Sequence, residues 1–251
     1  MPFAAAALAA LLASAVSATN VADTVGHAAP TVSVDMDKGG PMYSVSVDGK
    51  PWFRSPGAPV VCVAGKQTKL ELASTKPASG VDKMGAFTGT TASFGGAQGA
   101  AVEYTFKTYA AKPGVAVAMA RYPREIDTKG CGTNAQLSTH FPAFSTTAAE
   151  AAELHMLSWR GNVMSTTAAA KGLKNLGANG LDAGPVAATD PQTGNTLMWS
   201  TLDNHKIFPQ TTVNGTYSMG LAAAIPCAFL MHFSGSTSAH LLSHASSSFQ
   251  V

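Results

Sequence analysis

From Thr31 onward, apolar and polar side chains alternate in short runs. Val32, Val34 and Met36 alternate with Ser33 and Asp35, and Tyr43, Val45 and Val47 with Ser44 and Ser46. A period of two puts each set on its own face of a strand. Asp48-Gly49 follows, a pair that tolerates positive φ and so predicts a hairpin turn, with Lys50 to Phe53 as the returning strand. Further strands are predicted at Pro59 to Ala64, Thr68 to Ala73, Ala100 to Tyr109 and Val115 to Arg121. In the third of these, Val102, Tyr104 and Phe106 face away from Glu103, Thr105 and Lys107, and Lys112-Pro113-Gly114 supplies the next turn. Successive short strands joined by turns predict an all-β, antiparallel β-sandwich rather than alternating βαβ units.

The middle of the chain is less regular. Ser93 to Gly99 is glycine-rich, and Gly130 to Ala143 reads as loop with one short apolar run. Thr146 to Leu157 and Thr166 to Leu176 carry the only helical composition after the leader, and His155 to Trp159 reads as strand. Pro185 to Thr189 and Thr196 to Trp199 read as two more strands, joined by a turn at Asp190 to Gly194. After Pro226 neither period persists. Residues 227–251, rich in Ser and His, are expected to be an irregular tail, as though a longer domain stopped early, so the sandwich is assigned to residues 30–226.

Composition narrows the classes. Only 12% of residues are charged, about half the usual share, and the net charge is +2. No basic run suggests a nucleic-acid partner. Residues 1–18 lack any charged side chain and end in small residues after an apolar run too short to cross a bilayer, so they read as a secretory signal peptide. No later stretch has the length of a membrane span, and no membrane partner is expected. A secreted or vacuolar-lumen location allows one disulfide among Cys62, Cys131 and Cys227, with three pairings open. Asn214-Gly215-Thr216 is a glycosylation sequon.

Chemistry is sparse. No GxSxG elbow surrounds Ser158, and no Walker or GxGxxG loop is present. His240 and His244 have helical spacing, but without a third ligand they specify no metal site, and no cofactor is expected. Glycoside hydrolysis needs two carboxyl groups across a sugar. The candidates are Asp182 and Asp190, which read as turn residues, and Asp203, which follows the apolar run ending at Trp199. Asp203 reads equally as part of a solvated loop capping its own backbone. Spacing joins no two of them, so no catalytic residue is assigned. Trp52, Trp159 and Trp199, with Tyr104 and Phe208, suit either a sugar platform or a sandwich core.

Leu157-Ser-Trp-Arg-Gly161, Gly184-Pro-Val-Ala-Ala-Thr-Asp190, Thr196 to Phe208 and Asn214 to Gly220 follow one another in an order with a parallel elsewhere. This order resembles the N-terminal region of α-galactosidase-like and raffinose-synthase-like glycoside hydrolases. There a galactose-mutarotase-like supersandwich precedes a catalytic (β/α)₈ barrel. The resemblance implies an accessory, non-catalytic sandwich, incomplete without its barrel, in a secreted enzyme acting on α-galactosides. It implies a loop lent to the barrel's sugar site, for which Leu202-Asp203-Asn204 is the candidate; with Trp159 and Trp199 from the platform reading, Asp203 and Asn204 are the candidate carbohydrate contacts. The alternative is a stand-alone secreted carbohydrate-binding or structural sandwich, and a complete small glycosidase is a weaker third reading.

Overall fold

The computed structural model describes residues 31–36, 42–131, 139–160, 166–177, 179–182, 184–202, 210–213, 215–221 and 227–234. Its strands are β1 (Val32–Met36), β2 (Tyr43–Val47), β3 (Lys50–Arg54), β4 (Val60–Val63), β5 (Lys66–Lys69) and β6 (Glu71–Asp82). They continue with β7 (Gly85–Gly95), β8 (Ala101–Tyr109), β9 (Lys112–Arg121), β10 (Thr139–Ser145), β11 (His155–Arg160) and β12 (Thr166–Lys171). The last are β13 (Asn179–Asp182), β14 (Val186–Thr189), β15 (Thr196–Thr201), β16 (Gln210–Val213), β17 (Thr216–Leu221) and β18 (Cys227–Ser234). One α-helical turn, Leu173–Leu176, and two short 3₁₀ segments accompany them. No helix among the described residues is long and apolar enough to cross a membrane.

Three antiparallel sheets form: β1-β2-β3, the six-stranded β13-β16-β17-β10-β4-β5, and the nine-stranded β12-β11-β14-β15-β18-β9-β8-β7-β6. They share one core. Tyr104 of the large sheet stacks on Phe141 of the six-stranded sheet with ring centroids 3.9 Å apart. Phe53, from the small sheet, lies 5.0 Å from both Phe144 and Trp199. Each sheet thus buries its apolar face against the others, the packing expected of a sandwich.

Between the two large sheets lies a buried polar bridge. Ser158 Oγ on β11 donates to Gln210 Oε1 on β16 at 2.9 Å, and the Tyr217 hydroxyl donates to the same oxygen. Gln210 Nε2 donates to the Gly184 carbonyl at 2.6 Å. Ser158, Gln210 and Tyr217 are fully buried, and the shared partners offset the cost of taking polar groups out of water.

The Asp48-Gly49 turn forms as expected, both residues at positive φ between β2 and β3. Cys62 pairs with Cys131 across 69 residues of chain, which closes the pairing question. The predicted tail needs correction. Residues 227–234 are β18, which lies between β15 and β9 near the middle of the large sheet. Its Met231 enters the main core while Leu230 packs into an apolar cluster on the opposite face. A strand packed against apolar clusters on both faces reads as a near-continuous apolar run, which is why period two is missing there.

The helical expectations shrink in the same way. Thr166–Lys171 pairs with β11 as an edge strand, and only Leu173–Leu176 winds into a helix. In the other segment Ala149–Ala151 makes a single 3₁₀ turn. Strand β10 occupies the end of the expected loop at 130–143. The β6–β7 hairpin escapes the sequence pattern because β6 is a largely exposed edge strand with little apolar alternation.

Candidate functional site

A cavity of about 420 Å³ opens beside the six-stranded sheet. Most of it comes from four separated segments: Tyr43 on β2, the Ser55–Val60 stretch that leads into β4, Gln67 and Lys69 on β5, and His140 and Ala143 on β10. Tyr104 and Thr216 complete the lining.

The floor is rigid. Tyr43 and Tyr104 are both buried, held in the aromatic cluster with Phe106 and Phe141. The Tyr43 hydroxyl donates to the Ala143 carbonyl and accepts from the Ala143 N–H, each at 2.8 Å. Burial pushes the Tyr43 phenol well above the usual tyrosine value, and the Ala143 hydrogen bond only partly opposes this. The ring therefore stays neutral.

The wall formed by the Ser55–Val60 stretch is anchored at both ends. Ser55 N–H donates to the Tyr43 carbonyl at 2.9 Å, and Ser55 Oγ accepts from the Tyr43 N–H at 3.1 Å. At the far end Leu70 N–H donates to the Pro59 carbonyl at 2.9 Å. Between them Gly57 sits at φ +120°, a region L side chains rarely occupy, so the turn that shapes this wall depends on glycine.

His140 engages Ser218 Oγ through Nδ1 at 2.9 Å. Burial lowers its pKa, so it faces the cavity as a neutral imidazole at neutral pH. Lys69 is exposed and lines the cavity; among the described residues it is the only formal charge there, and no Asp or Glu lines it.

Of the described residues singled out from the sequence, Tyr104 lines this cavity and the others lie elsewhere. Trp199 is 1% exposed and ringed by Phe53, Phe144 and Tyr217, so a platform role for its ring is corrected to core packing. Trp52 is also buried. Trp159 is half-buried and lies on the opposite face of the large sheet from Trp199. Ser158, Val186 and Trp199 are cross-strand partners facing the core, and Trp159 is the next residue along β11. Strands approach closely there: a Cβ on Gly184 would meet the Trp159 carbonyl oxygen at 2.2 Å. The two tryptophans do not form one surface.

Asp190 is the turn residue expected. Its Oδ1 accepts from the Gln192 N–H at 2.9 Å, and that hydrogen bond, with Lys50 nearby, holds the carboxyl below the usual range. Asp203, Asn204, Asn214 of the sequon and the 1–18 leader lie outside the described residues. So do the side chain of Asp182 and His240 and His244. Among the described residues no group of three or more His, Cys, Asp or Glu could hold a metal ion. Sequence reasoning missed the cavity because Tyr43, Lys69 and His140 share no local motif. Tyr104 alone had been marked, as a platform-or-core aromatic.

No protein-family model matches the chain. A search of curated proteins returned no match. Similarity appears at the level of fold. The alpha-N-acetylgalactosaminidase NagBb from Bifidobacterium bifidum, in complex with Gal-NHAc-DNJ, superposes with a TM-score of 0.54 at 12% identity. The match covers 84% of this chain and 36% of that one. The ligand-free form of the same enzyme gives a TM-score of 0.54 at 10% identity, with the same coverage of both chains. The chain thus shares a fold with part of that enzyme and spans about a third of its length.

Proposed function

We propose that this chain is an accessory, non-catalytic β-sandwich of a secreted, glycoside hydrolase-like enzyme, whose catalytic barrel is a separate unit acting on α-galactoside-type substrates. The observation that carries this reading is the lopsided match: 84% of this chain against 36% of NagBb. The antiparallel three-sheet core supports the finer assignment to the galactose-mutarotase-like supersandwich group. A second apolar cluster supports a covered outer face. Val115 and Val117 are buried there with Tyr109, and Met119 and Leu230 pack against them on the face away from the main core. The Cys62–Cys131 disulfide supports an oxidising, secreted or luminal compartment.

The test is hydrolysis. Purified chain incubated with aryl α-galactoside and aryl α-N-acetylgalactosaminide should release no aglycone above buffer. Turnover that co-purifies with the folded chain would overturn the reading. The second reading, a stand-alone carbohydrate-binding sandwich, is favoured by the formed cavity beside β5 and β10. It predicts glycan binding by the chain alone.

A further inference from the structure

We propose that the cavity bounded by Tyr43, Lys69 and His140 binds a single pyranose ring carrying a carboxylate, a hexuronic acid residue. The choice of a sugar rests on the accessory-domain reading above, whereas the choice of an acid rests on the cavity itself.

Size comes first. About 420 Å³ falls within the ~300–1,000 Å³ of ordinary small-molecule sites, and suits one sugar ring rather than a long chain. The lining then matches the two surfaces of a pyranose. Pro56, Ala58 and Val60, above the buried Tyr43 and Tyr104, offer apolar area for the C–H face. Gln67, His140 and Thr216 offer neutral amide, imidazole and hydroxyl groups for ring hydroxyls. His140 Nδ1 is taken by Ser218, which leaves Nε2 for a ligand.

Charge decides the class. Among the described residues the lining holds one cation, Lys69, and no carboxylate. Lys69 makes no ion pair among the described residues, unlike Lys50, Lys107 and Lys171. A neutral sugar leaves that ammonium idle, and a cationic ligand is repelled. A carboxylate meets it as a charge-assisted hydrogen bond, with the Gln67 amide beside it on the same strand. The site is also preorganised. The Tyr43–Ala143 and Ser55–Tyr43 hydrogen bonds hold the floor and wall in place before a ligand arrives, so binding orders little of the protein.

The experiment uses the full chain and calorimetric or NMR titration with three probes: galacturonate, galactose and cyclohexanecarboxylate. Galacturonate should bind at least tenfold more tightly than galactose or cyclohexanecarboxylate. Lys69→Met should bring galacturonate down to the level of galactose and leave galactose unchanged. Lys112→Met, on a strand that does not line the cavity, should change neither. Lys69 is exposed, so its replacement leaves the core intact, and circular dichroism confirms the fold of each variant. No galacturonate binding by folded protein, equal binding of galacturonate and galactose, or an undiminished Lys69→Met variant would each overturn the proposal. Equal binding of cyclohexanecarboxylate would overturn the sugar while leaving an anion pocket. None of these results touches the hydrolysis assay, so the accessory-domain reading fails separately.

Discussion

Tyr43 clamps both backbone groups of Ala143 with one hydroxyl, 100 residues away in sequence. The clamp sits where β10 is irregular: its pairing with β17 shifts register between His140 and Ala143, and Pro142 has no N–H to give. A side chain from the small sheet thus supplies what the ladder does not. Tyr43→Phe keeps the ring and deletes the clamp. Both Ala143 groups then lose this partner in a buried site, and urea unfolding should show a loss of about 1–3 kcal/mol. An unchanged midpoint would show that water replaces the hydroxyl at no cost.

Gln210 is the shared partner of the buried bridge, so its replacement strands more than one group. Gln210→Leu leaves the Ser158 and Tyr217 hydroxyls and the Gly184 carbonyl without it. Thermal unfolding should report a loss of about 3 kcal/mol, while Ser158→Ala should cost about 1. A Gln210→Leu variant as stable as the parent would mean the bridge gives orientation and no net stability.

Strand β18 makes the chain beyond Pro226 essential. Ending the protein at Pro226 removes the strand that joins β15 to β9 and opens the large sheet along two edges. Such a protein should show no cooperative unfolding transition. Within the full chain, Met231→Ala should cost about 2–5 kcal/mol, because Met231 is 1% exposed in the main core.

The Cys62–Cys131 bridge closes a 69-residue loop, and in the chain-entropy view this is worth about 4 kcal/mol. Dithiothreitol should lower the unfolding midpoint sharply, and Cys62→Ala/Cys131→Ala should match the reduced protein. A midpoint indifferent to reductant would place the bridge outside the cooperative unit.

Stability should fall on acidification in two windows. His140 and His232 are held below their ordinary pKa by burial, so the unfolded chain takes up those protons more readily than the folded one. Their contribution is full above the unfolded value of about 6.5 and is lost as pH falls toward the folded value. His140→Gln should flatten part of that slope. Asp82, Glu150 and Asp190 act lower. Asp82 is held down by the Lys107 hydrogen bond, Glu150 by its own backbone N–H and by Arg54, and Asp190 by the Gln192 N–H. Their stabilisation is full above about pH 4 and disappears as pH falls through their lowered values. Tyr109, pushed up to about 12 by burial and by donating to Asp82, does not titrate in either window. Unfolding curves from pH 3 to 8 measure both windows.

What the sequence determined by itself was local. The β2 alternation, the Asp48-Gly49 turn and the Asp190 turn were legible because neighbours a few residues apart specify them, through side-chain period and backbone φ. Tertiary structure decided everything that joins distant segments. It placed β18 between β15 and β9, where apolar clusters on both faces erase the alternation that marks a strand. It chose Cys131 for Cys62 and turned the alanine-rich Thr166–Lys171 into an edge strand by pairing it with β11. It sent Trp199 to the core and Trp159 to the outer face, a choice set by sheet register rather than residue type. The cavity belongs to the same class. Tyr43, Lys69 and His140 carry no shared spacing, and only the packing of β2, β5 and β10 gives them a common space.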